Sequence, residues 1–101
     1  MPRPGDRPAP DVVVVGAGLA GRCAGVRLGE GGARVLVVAR GVGGLPLSAG
    51  TVDVLGYAPH RVASPAGELP GFAAAHPGHP YALLADRVAA ALEWLRGRVP
   101  G

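Results

Sequence analysis

The chain has 101 residues, 49% of them hydrophobic and 17% charged, which excludes an intrinsically disordered protein and allows one small domain at most. Its net charge of +3 is spread along the chain rather than gathered into a basic run, so nucleic acid is not an expected partner. The single cysteine, Cys23, excludes an internal disulfide and a cysteine-rich metal site.

Residues 1–10 are rich in proline and arginine, and this composition predicts a disordered leader because proline prevents regular pairing. The segment has no apolar core of an export signal, and no stretch approaches the roughly 18 apolar residues of a membrane span. We therefore expect a cytoplasmic protein without a direct membrane span. Residues 11–101 are predicted to form the folded part.

A run of four valines, Val12–Val15, directly precedes a Gly-x-Gly-x-x-Gly motif. Branching at Cβ favours an extended strand buried on both faces. Gly16 would let the chain turn sharply, Gly18 would let a phosphate approach the backbone, and Gly21 would let the next helix pack against the sheet. The free N–H groups and dipole of that helix would supply an anion site. The predicted cofactor-binding turn comprises Gly16, Ala17, Gly18, Leu19, Ala20 and Gly21.

The residues after the motif complete a β-α-β unit. The apolar spacing predicts a helix over Leu19–Glu30, ended by two glycines, and then a second buried strand over Arg34–Ala39. The helix face expected to meet the sheet consists of Ala20, Cys23, Ala24 and Leu28. Strand, glycine turn, helix and strand in this order predict an α/β protein with a Rossmann-like flavin- or dinucleotide-binding fold, of which only the N-terminal part is present.

The end of the second strand departs from the dinucleotide motif. An acidic residue is expected there to accept hydrogen bonds from the ribose of an adenosine, but the position holds Ala39, followed by Arg40. Three interpretations are open for the arginine. It could face a phosphate, as in a 2′-phosphorylated nicotinamide dinucleotide or a flavin mononucleotide. The site could bind adenine ribose through backbone atoms alone, or the arginine could simply be solvated.

The second half of the chain gives weaker signals. A short strand is predicted over Thr51–Tyr57, then a long loop over Ala58–Pro80, then a helix from about Tyr81. That helix carries an apolar stripe of Leu84, Val88, Ala91, Leu92, Leu95 and Val99. The histidines of the loop lack enough further ligands to predict a metal site. No catalytic residue is identified, because no paired carboxylates and no nucleophile beside a base are found.

Four blocks taken together resemble one family: Val-Gly-Ala-Gly-Leu-Ala-Gly at 15–21, Val-Val-Ala-Arg-Gly at 37–41, Leu-Ser-Ala-Gly-Thr-Val-Asp-Val-Leu at 47–55 and His-Pro-Tyr-Ala-Leu-Leu at 79–84. In this order they resemble the N-terminal portion of the B subunit, a flavoprotein, of the anaerobic glycerol-3-phosphate dehydrogenase. The first block is shared with flavoproteins at large. The third and fourth blocks, with their spacing, point to this family.

The resemblance implies a flavoprotein subunit of a membrane-associated complex that oxidises sn-glycerol 3-phosphate to dihydroxyacetone phosphate and passes electrons toward quinone. It implies other subunits as partners and a position peripheral to the inner membrane through them. It also implies that Gly16, Gly18 and Gly21 cradle the flavin phosphate, and that Ser48, Gly50 and Thr51 lie near the flavin. An arginine in place of an acidic residue at position 40 also resembles the family. It suits FMN better than FAD, because FMN has no adenosine ribose to be held. The flavin is thus predicted as FMN or FAD.

Members of this family are much longer, so we expect these residues to be a fragment that is unstable alone. One or two helices cannot cover both faces of a sheet. Two alternatives to the flavin protein are kept. A nicotinamide enzyme fragment, with Arg40 on a 2′-phosphate, predicts NADPH binding. A non-catalytic remnant predicts no ligand and concentration-dependent assembly through its exposed sheet.

Overall fold

The computed structural model describes residues 3–99, and the chain divides into two compact units, Met1–Gly50 and Thr51–Gly101. Residues 1–2 of the predicted leader and residues 100–101 lie outside the described part. The first unit holds the sheet, and the second holds most of the helices.

The first unit is a β-α-β unit flanked by two short 3₁₀ turns. Its helix and strands are β1 (Val12–Val15), α1 (Leu19–Glu30) and β2 (Val35–Val38), with 3₁₀ turns at Pro4–Asp6 and Leu45–Leu47. The bounds of β1 and α1 are those predicted from the sequence. The second strand is one residue shorter at each end than predicted. The predicted Rossmann-like α/β architecture is confirmed.

The two strands form a parallel sheet in which Val12 lies opposite Val35 and Val15 lies opposite Val38. Parallel pairing requires a crossover, and α1 supplies it. At the amino ends of the strands, the Asp11 carboxylate accepts a hydrogen bond from the backbone N–H preceding β2. Because the strands are parallel, their carboxyl ends lie at the same edge of the sheet. The glycine turn follows β1 at this edge, and the loop after β2 begins there.

The helix contacts the sheet through glycines as well as through the predicted apolar residues. Cys23 and Leu28 are half-buried, but Ala20 and Ala24, predicted for the same face, are exposed. A methyl group added at Gly25 would lie 3.4 Å from a side-chain atom of β2. Glycine positions of α1 therefore face the sheet beside Cys23 and Leu28.

The strands are not buried on both faces, so that prediction is wrong for this chain. Val13 and Val15 of β1 are 52% and 86% exposed, and Leu36 and Val38 of β2 are 49% and 46% exposed. These four side chains share one face because side chains alternate along a strand. Helix α1 covers the opposite face. We call this set of four residues the open sheet face.

The second unit is helical. It contains α2 (Pro65–Ala75), α3 (Pro80–Leu84) and α4 (Val88–Arg96). Its small core consists of Leu55, Val62 and Leu69, with half-buried hydrophobic residues from the helices and from the segments between them packed against it.

Two predictions for residues 51–80 are wrong. No strand forms over Thr51–Tyr57; Tyr57 instead makes an isolated antiparallel bridge with Arg61. The predicted loop Ala58–Pro80 contains α2, whose first turn is capped by the Ser64 side chain. Leu55, which the strand prediction placed in an extended segment, is buried in the helical core because α2 covers it.

The predicted helix from Tyr81 is broken. Residues 85–87 form a turn, in which the Arg87 N–H donates to the Leu84 carbonyl at 2.8 Å, and this turn separates α3 from α4. The predicted stripe is therefore only partly buried: Val88 and Leu95 are half-buried, whereas the remaining members are exposed.

Candidate functional site

The turn between β1 and α1 is fixed by its first glycine. Gly16 has a φ of +112°, a conformation that residues with a side chain rarely adopt. Its N–H donates to the Val38 carbonyl at 2.8 Å, which continues the sheet ladder one step beyond β1. The chain thus leaves the sheet abruptly at the carboxyl ends of both strands, as predicted for Gly16.

The amino terminus of α1 is open. Gly18 is the N-cap residue, with extended φ and ψ of −74° and −172°, and no side chain caps the helix. Within residues 3–99, the N–H groups of Leu19, Ala20 and Gly21 have no acceptor, as expected for the first turn of a helix. A Cβ added at Gly18 would meet no atom within 4 Å. Unpaired N–H groups at the N-terminus of a helix form the kind of site that attracts anions.

Gly21 serves the packing of the turn. A Cβ there would run into the Gly16 carbonyl oxygen and would lie 3.4 Å from a methyl group of Val14. Any larger residue would push α1 away from the start of the turn. The role predicted for this third glycine therefore agrees with its contacts, while Gly18 faces open space.

Ala39 and Arg40 follow β2 at the same sheet edge as the glycine turn, because the strands are parallel and Val15 lies opposite Val38. Both residues are exposed. Within the described part of the chain, the Arg40 guanidinium has no hydrogen bond or ion pair, so its donors are available to a ligand or to water. The geometry brings this pair to the edge predicted from the sequence.

Ser48, Gly50 and Thr51 lie farther along the connection, and the boundary between the two units falls after Gly50. The Ser48 hydroxyl accepts a hydrogen bond from the Gly50 N–H at 3.2 Å, and Gly50 has a φ of +78°. This pair forms a local turn stabilised by a side chain. All three residues are exposed.

Sequence reasoning missed one residue of the site, Arg22. Its Nε–H donates to the Ala17 carbonyl at 2.7 Å, and Nη2 donates to the Val42 carbonyl at 3.0 Å. The next residue in that loop, Gly43, approaches the same turn so closely that a Cβ would lie 2.6 Å from the Ala17 oxygen. An arginine directly after the third glycine, together with the Gly-x-Gly-Gly loop at 41–44, was the available signal.

The histidines of the second unit make local contacts. The His76 ring stacks on Phe72 with centroids 4.2 Å apart, and Nδ1 of His76 lies 3.1 Å from the Phe72 carbonyl oxygen. Nδ1 of His79 accepts from the Tyr81 N–H at 3.1 Å, capping α3. Between residues 3 and 99, no three His, Cys, Asp or Glu side chains come together as metal ligands would.

A parallel β-α-β unit with a glycine turn and an uncapped helix N-terminus defines a nucleotide- or flavin-binding protein of the Rossmann type. The family described as FAD binding domain matches residues 11–100, and the chain belongs to this family. The prediction of a flavin cofactor is confirmed.

The chain is similar to the B subunit of anaerobic glycerol-3-phosphate dehydrogenase from several bacteria. It is 34% identical to the Vibrio vulnificus protein over 88 residues, covering 84% of this chain and 20% of that protein. It is 39% identical to the Pectobacterium atrosepticum protein over 84 residues, covering 81% and 20%. For the Actinobacillus succinogenes protein the identity is 39% over 90 residues, covering 86% and 21%.

The resemblance predicted from the four sequence blocks is thereby confirmed. The chain spans about a fifth of the length of these relatives. No solved structure matches it. None of the helices within residues 3–99 has the length and apolar character needed to cross a membrane.

Proposed function

We propose that the turn of residues 16–21 binds the phosphate groups of the flavin. The observation that carries this proposal is the open amino terminus of α1: three unpaired amides, no capping side chain, and free space at Gly18. Backbone N–H groups and the helix dipole attract phosphate at such a position. The contributing residues would be Gly16, Ala17, Gly18, Leu19, Ala20 and Gly21.

Ala39 and Arg40 complete the proposed site from the end of β2. With no carboxylate at this position, the adenosine ribose of FAD would be held by backbone groups, and the Arg40 guanidinium would donate to a flavin phosphate. Ser48, Gly50 and Thr51 are proposed to lie near the flavin on the strength of the resemblance. The FAD binding domain match favours FAD over FMN.

A Gly18→Val substitution tests the phosphate turn. The backbone of Gly18 suits valine, and no protein atom lies within 4 Å of the added Cβ, so the fold should persist. The valine would occupy the space above the amides, and we expect the Kd for FAD to rise at least about a hundredfold. Titration of the chain with FAD, followed by flavin fluorescence, measures this.

The matched control is Gly29→Val. Gly29 lies at the other end of α1, and its Cβ would also meet nothing within 4 Å. We expect this variant to bind FAD as the unaltered chain does. If Gly18→Val binds FAD normally while both variants keep their circular dichroism, the proposed phosphate turn is wrong.

The FAD binding domain match makes a flavin the expected ligand, and titrations with FMN and NADPH test the two other nucleotides directly. Binding of FAD or FMN without NADPH supports the flavin site, whereas binding of NADPH alone supports a nicotinamide fragment with Arg40 on the 2′-phosphate. The open sheet face favours the third alternative, a non-catalytic remnant that docks through this surface. That alternative predicts assembly that grows with concentration and no ligand, whereas the proposed flavin site predicts FAD binding whether or not the chain assembles.

For the whole activity we propose a part in the oxidation of sn-glycerol 3-phosphate to dihydroxyacetone phosphate, with electrons passed to other subunits and on to quinone. The support is the likeness to the anaerobic dehydrogenase subunits named above. When bound, the flavin supplies the redox chemistry, and this chain holds its phosphates.

Anaerobic addition of sn-glycerol 3-phosphate to the FAD-loaded chain, with its enantiomer as control, tests reduction of the flavin. Bleaching by the first compound alone would support the assignment, and bleaching by both compounds or by neither would contradict it.

We further propose that the protein lies in the cytoplasm and reaches the membrane through partner subunits, and that residues 1–10 act as a leader before a flavin-binding region at 11–101. Limited proteolysis tests the leader: cleavage confined to the first ten residues would support it. Protection of those residues would contradict it.

A further inference from the structure

We propose that Arg22 is a positioning residue that ties the loop after β2 to the glycine turn and holds the Ala17–Gly18 peptide in the orientation that phosphate binding requires. This inference rests on the phosphate turn proposed above. Nothing in the sequence motif requires an arginine at this position.

The first support is that the Arg22 guanidinium donates hydrogen bonds to two separate segments of the chain. Its Nε–H donates to the carbonyl of Ala17, in the turn after β1, and its Nη2 donates to the carbonyl of Val42, in the loop after β2. The distances of 2.7 and 3.0 Å are those of well-formed hydrogen bonds. One rigid, planar group therefore joins two segments that are 20 or more residues apart from one another in the chain.

The second support is the close approach at Gly43. Its φ is +79°, and an added Cβ would lie 2.6 Å from the Ala17 oxygen and 2.9 Å from the Gly18 nitrogen. The loop thus packs directly on the peptide that Arg22 binds. This contact and the guanidinium fix the same peptide from two directions.

The consequence follows from peptide geometry. A trans peptide is planar, and its carbonyl and N–H point in opposite directions. A hydrogen bond that fixes the Ala17 carbonyl therefore also fixes the direction of the Gly18 N–H. That N–H has no acceptor within the described residues and belongs to the proposed phosphate turn.

A positive side chain in the first turns of a helix is opposed by the helix dipole. The two carbonyls offset this by accepting charge-assisted hydrogen bonds. The same charge would favour a bound phosphate, so Arg22 can act by charge, by geometry, or by both. We assign the larger effect to geometry.

Two substitutions separate these effects. Arg22→Lys keeps the charge but cannot reproduce the planar fork that reaches both carbonyls, and Arg22→Gln removes the charge as well. If Arg22 positions the peptide, both variants should weaken FAD binding by a similar factor, about tenfold. Normal binding by Arg22→Lys together with weakened binding by Arg22→Gln would overturn the proposal in favour of a purely electrostatic role.

Arg27→Gln is the matched control, because Arg27 is an exposed arginine of the same helix near its other end. We expect its Kd for FAD to match that of the unaltered chain. An equal loss in Arg27→Gln and Arg22→Gln would also overturn the proposal, because it would indicate a dependence on overall charge.

NMR adds one measurement on the unaltered chain, which does not depend on the folding of variants, and one on the variants. In an NMR spectrum, the Nε–H of Arg22 should exchange with water at least about tenfold more slowly than that of Arg27, because it is hydrogen-bonded. The Gly18 amide signal should shift in Arg22→Lys and not in Arg27→Gln. Equal exchange at the two arginines, or an unmoved Gly18 signal, would overturn the inference.

The result with Gly18→Val distinguishes failure of the phosphate turn from failure of the positioning role. If that variant binds FAD normally, the proposed phosphate turn fails, and the role of Arg22 fails with it. If Gly18→Val loses FAD but Arg22→Lys does not, the phosphate turn stands and the positioning role alone is rejected.

Discussion

At the scale of single residues, the ion pair between Asp11 and Arg34 links the amino ends of the two strands. The Asp11 carboxylate accepts hydrogen bonds from the guanidinium at 2.9 Å and from the Arg34 N–H at 2.8 Å. These two interactions, the side-chain bond first, hold the pKa of Asp11 below its ordinary value of 3.8. Because both side chains are about half exposed, solvent screens the ion pair, and it contributes little to the free energy of unfolding. We infer that its main effect is to fix which residues of the two strands lie opposite each other.

The lowered pKa predicts a pH dependence at the acidic end. A carboxyl group whose pKa is lower in the folded state stabilises that state fully above the unfolded pKa, and the contribution is lost as the pH falls through the folded pKa. The thermal midpoint should therefore fall as the pH drops below about 3.8. Asp11→Asn should remove this part of the pH dependence.

Thermal melts of the chain and of Asp11→Asn, followed by circular dichroism across that range, measure the effect. Asp53→Asn is a suitable control because Asp53 is an exposed carboxylate in the second unit. An unchanged acid dependence in Asp11→Asn would contradict the assignment.

At the scale of elements, substitution by alanine should have opposite effects on the free energy of unfolding at two glycines on the same face of α1. At Gly25, a Cβ would make an ordinary contact of 3.4 Å with Val37. Alanine has a better helix propensity, so Gly25→Ala should stabilise the chain by roughly 0.5–1 kcal/mol. At Gly21, the Cβ would collide with the Gly16 carbonyl, and Gly21→Ala should destabilise by about 1–3 kcal/mol.

Urea unfolding of the two variants beside the unaltered chain gives both free energies. The two sites lie one helical turn apart and differ mainly in the distance to their neighbours, so each serves as the control for the other. Equal effects of the same sign at both positions would show that the close approach of the turn at Gly16 does not limit the helix.

The elements that could be predicted are those whose signals are local and agree with one another. The Val12–Val15 run and the glycine motif gave the bounds of β1 and the start of α1, because branched residues favour strands and glycine permits the turn at Gly16. Helix α2 was missed because Pro65 and Pro70 resemble loop residues. Ser64 before a proline was the overlooked signal, since serine caps a helix and proline suits its first turn.

The candidate site was predictable to the same extent. The motif located the turn of residues 16–21, because the φ of Gly16 and the close approach at Gly21 depend on local backbone geometry. The role of Arg22 depends on where the loop after β2 lies, since one of its two acceptors is the Val42 carbonyl. A contact between segments so far apart in the chain is set by the register of the sheet and by the approach at Gly43, neither of which a local pattern indicates.

At the scale of the whole molecule, the distribution of apolar surface is the dominant feature. Three buried hydrophobic residues form the core among residues 3–99, and all three belong to the second unit. The first unit keeps its sheet in place through the parallel ladder, the glycine contacts of α1 and the ion pair at Asp11. Its open sheet face presents four branched apolar side chains to solvent, an arrangement typical of surfaces that associate.

We therefore expect the chain to associate increasingly with concentration through the open sheet face. Val15→Thr replaces a methyl group by a hydroxyl at a side chain that is 86% exposed, so it should cost less than about 0.5 kcal/mol in stability. It should nevertheless lower the association measured by sedimentation velocity over a concentration series.

Val99→Thr makes the same chemical change at a residue of the second unit that is 58% exposed, and it should leave association unchanged. Because the two variants differ only in where the hydroxyl is placed, an equal decrease in both would reflect a general change in surface character. An unchanged Val15→Thr would mean that the strands are not the surface through which the chain associates.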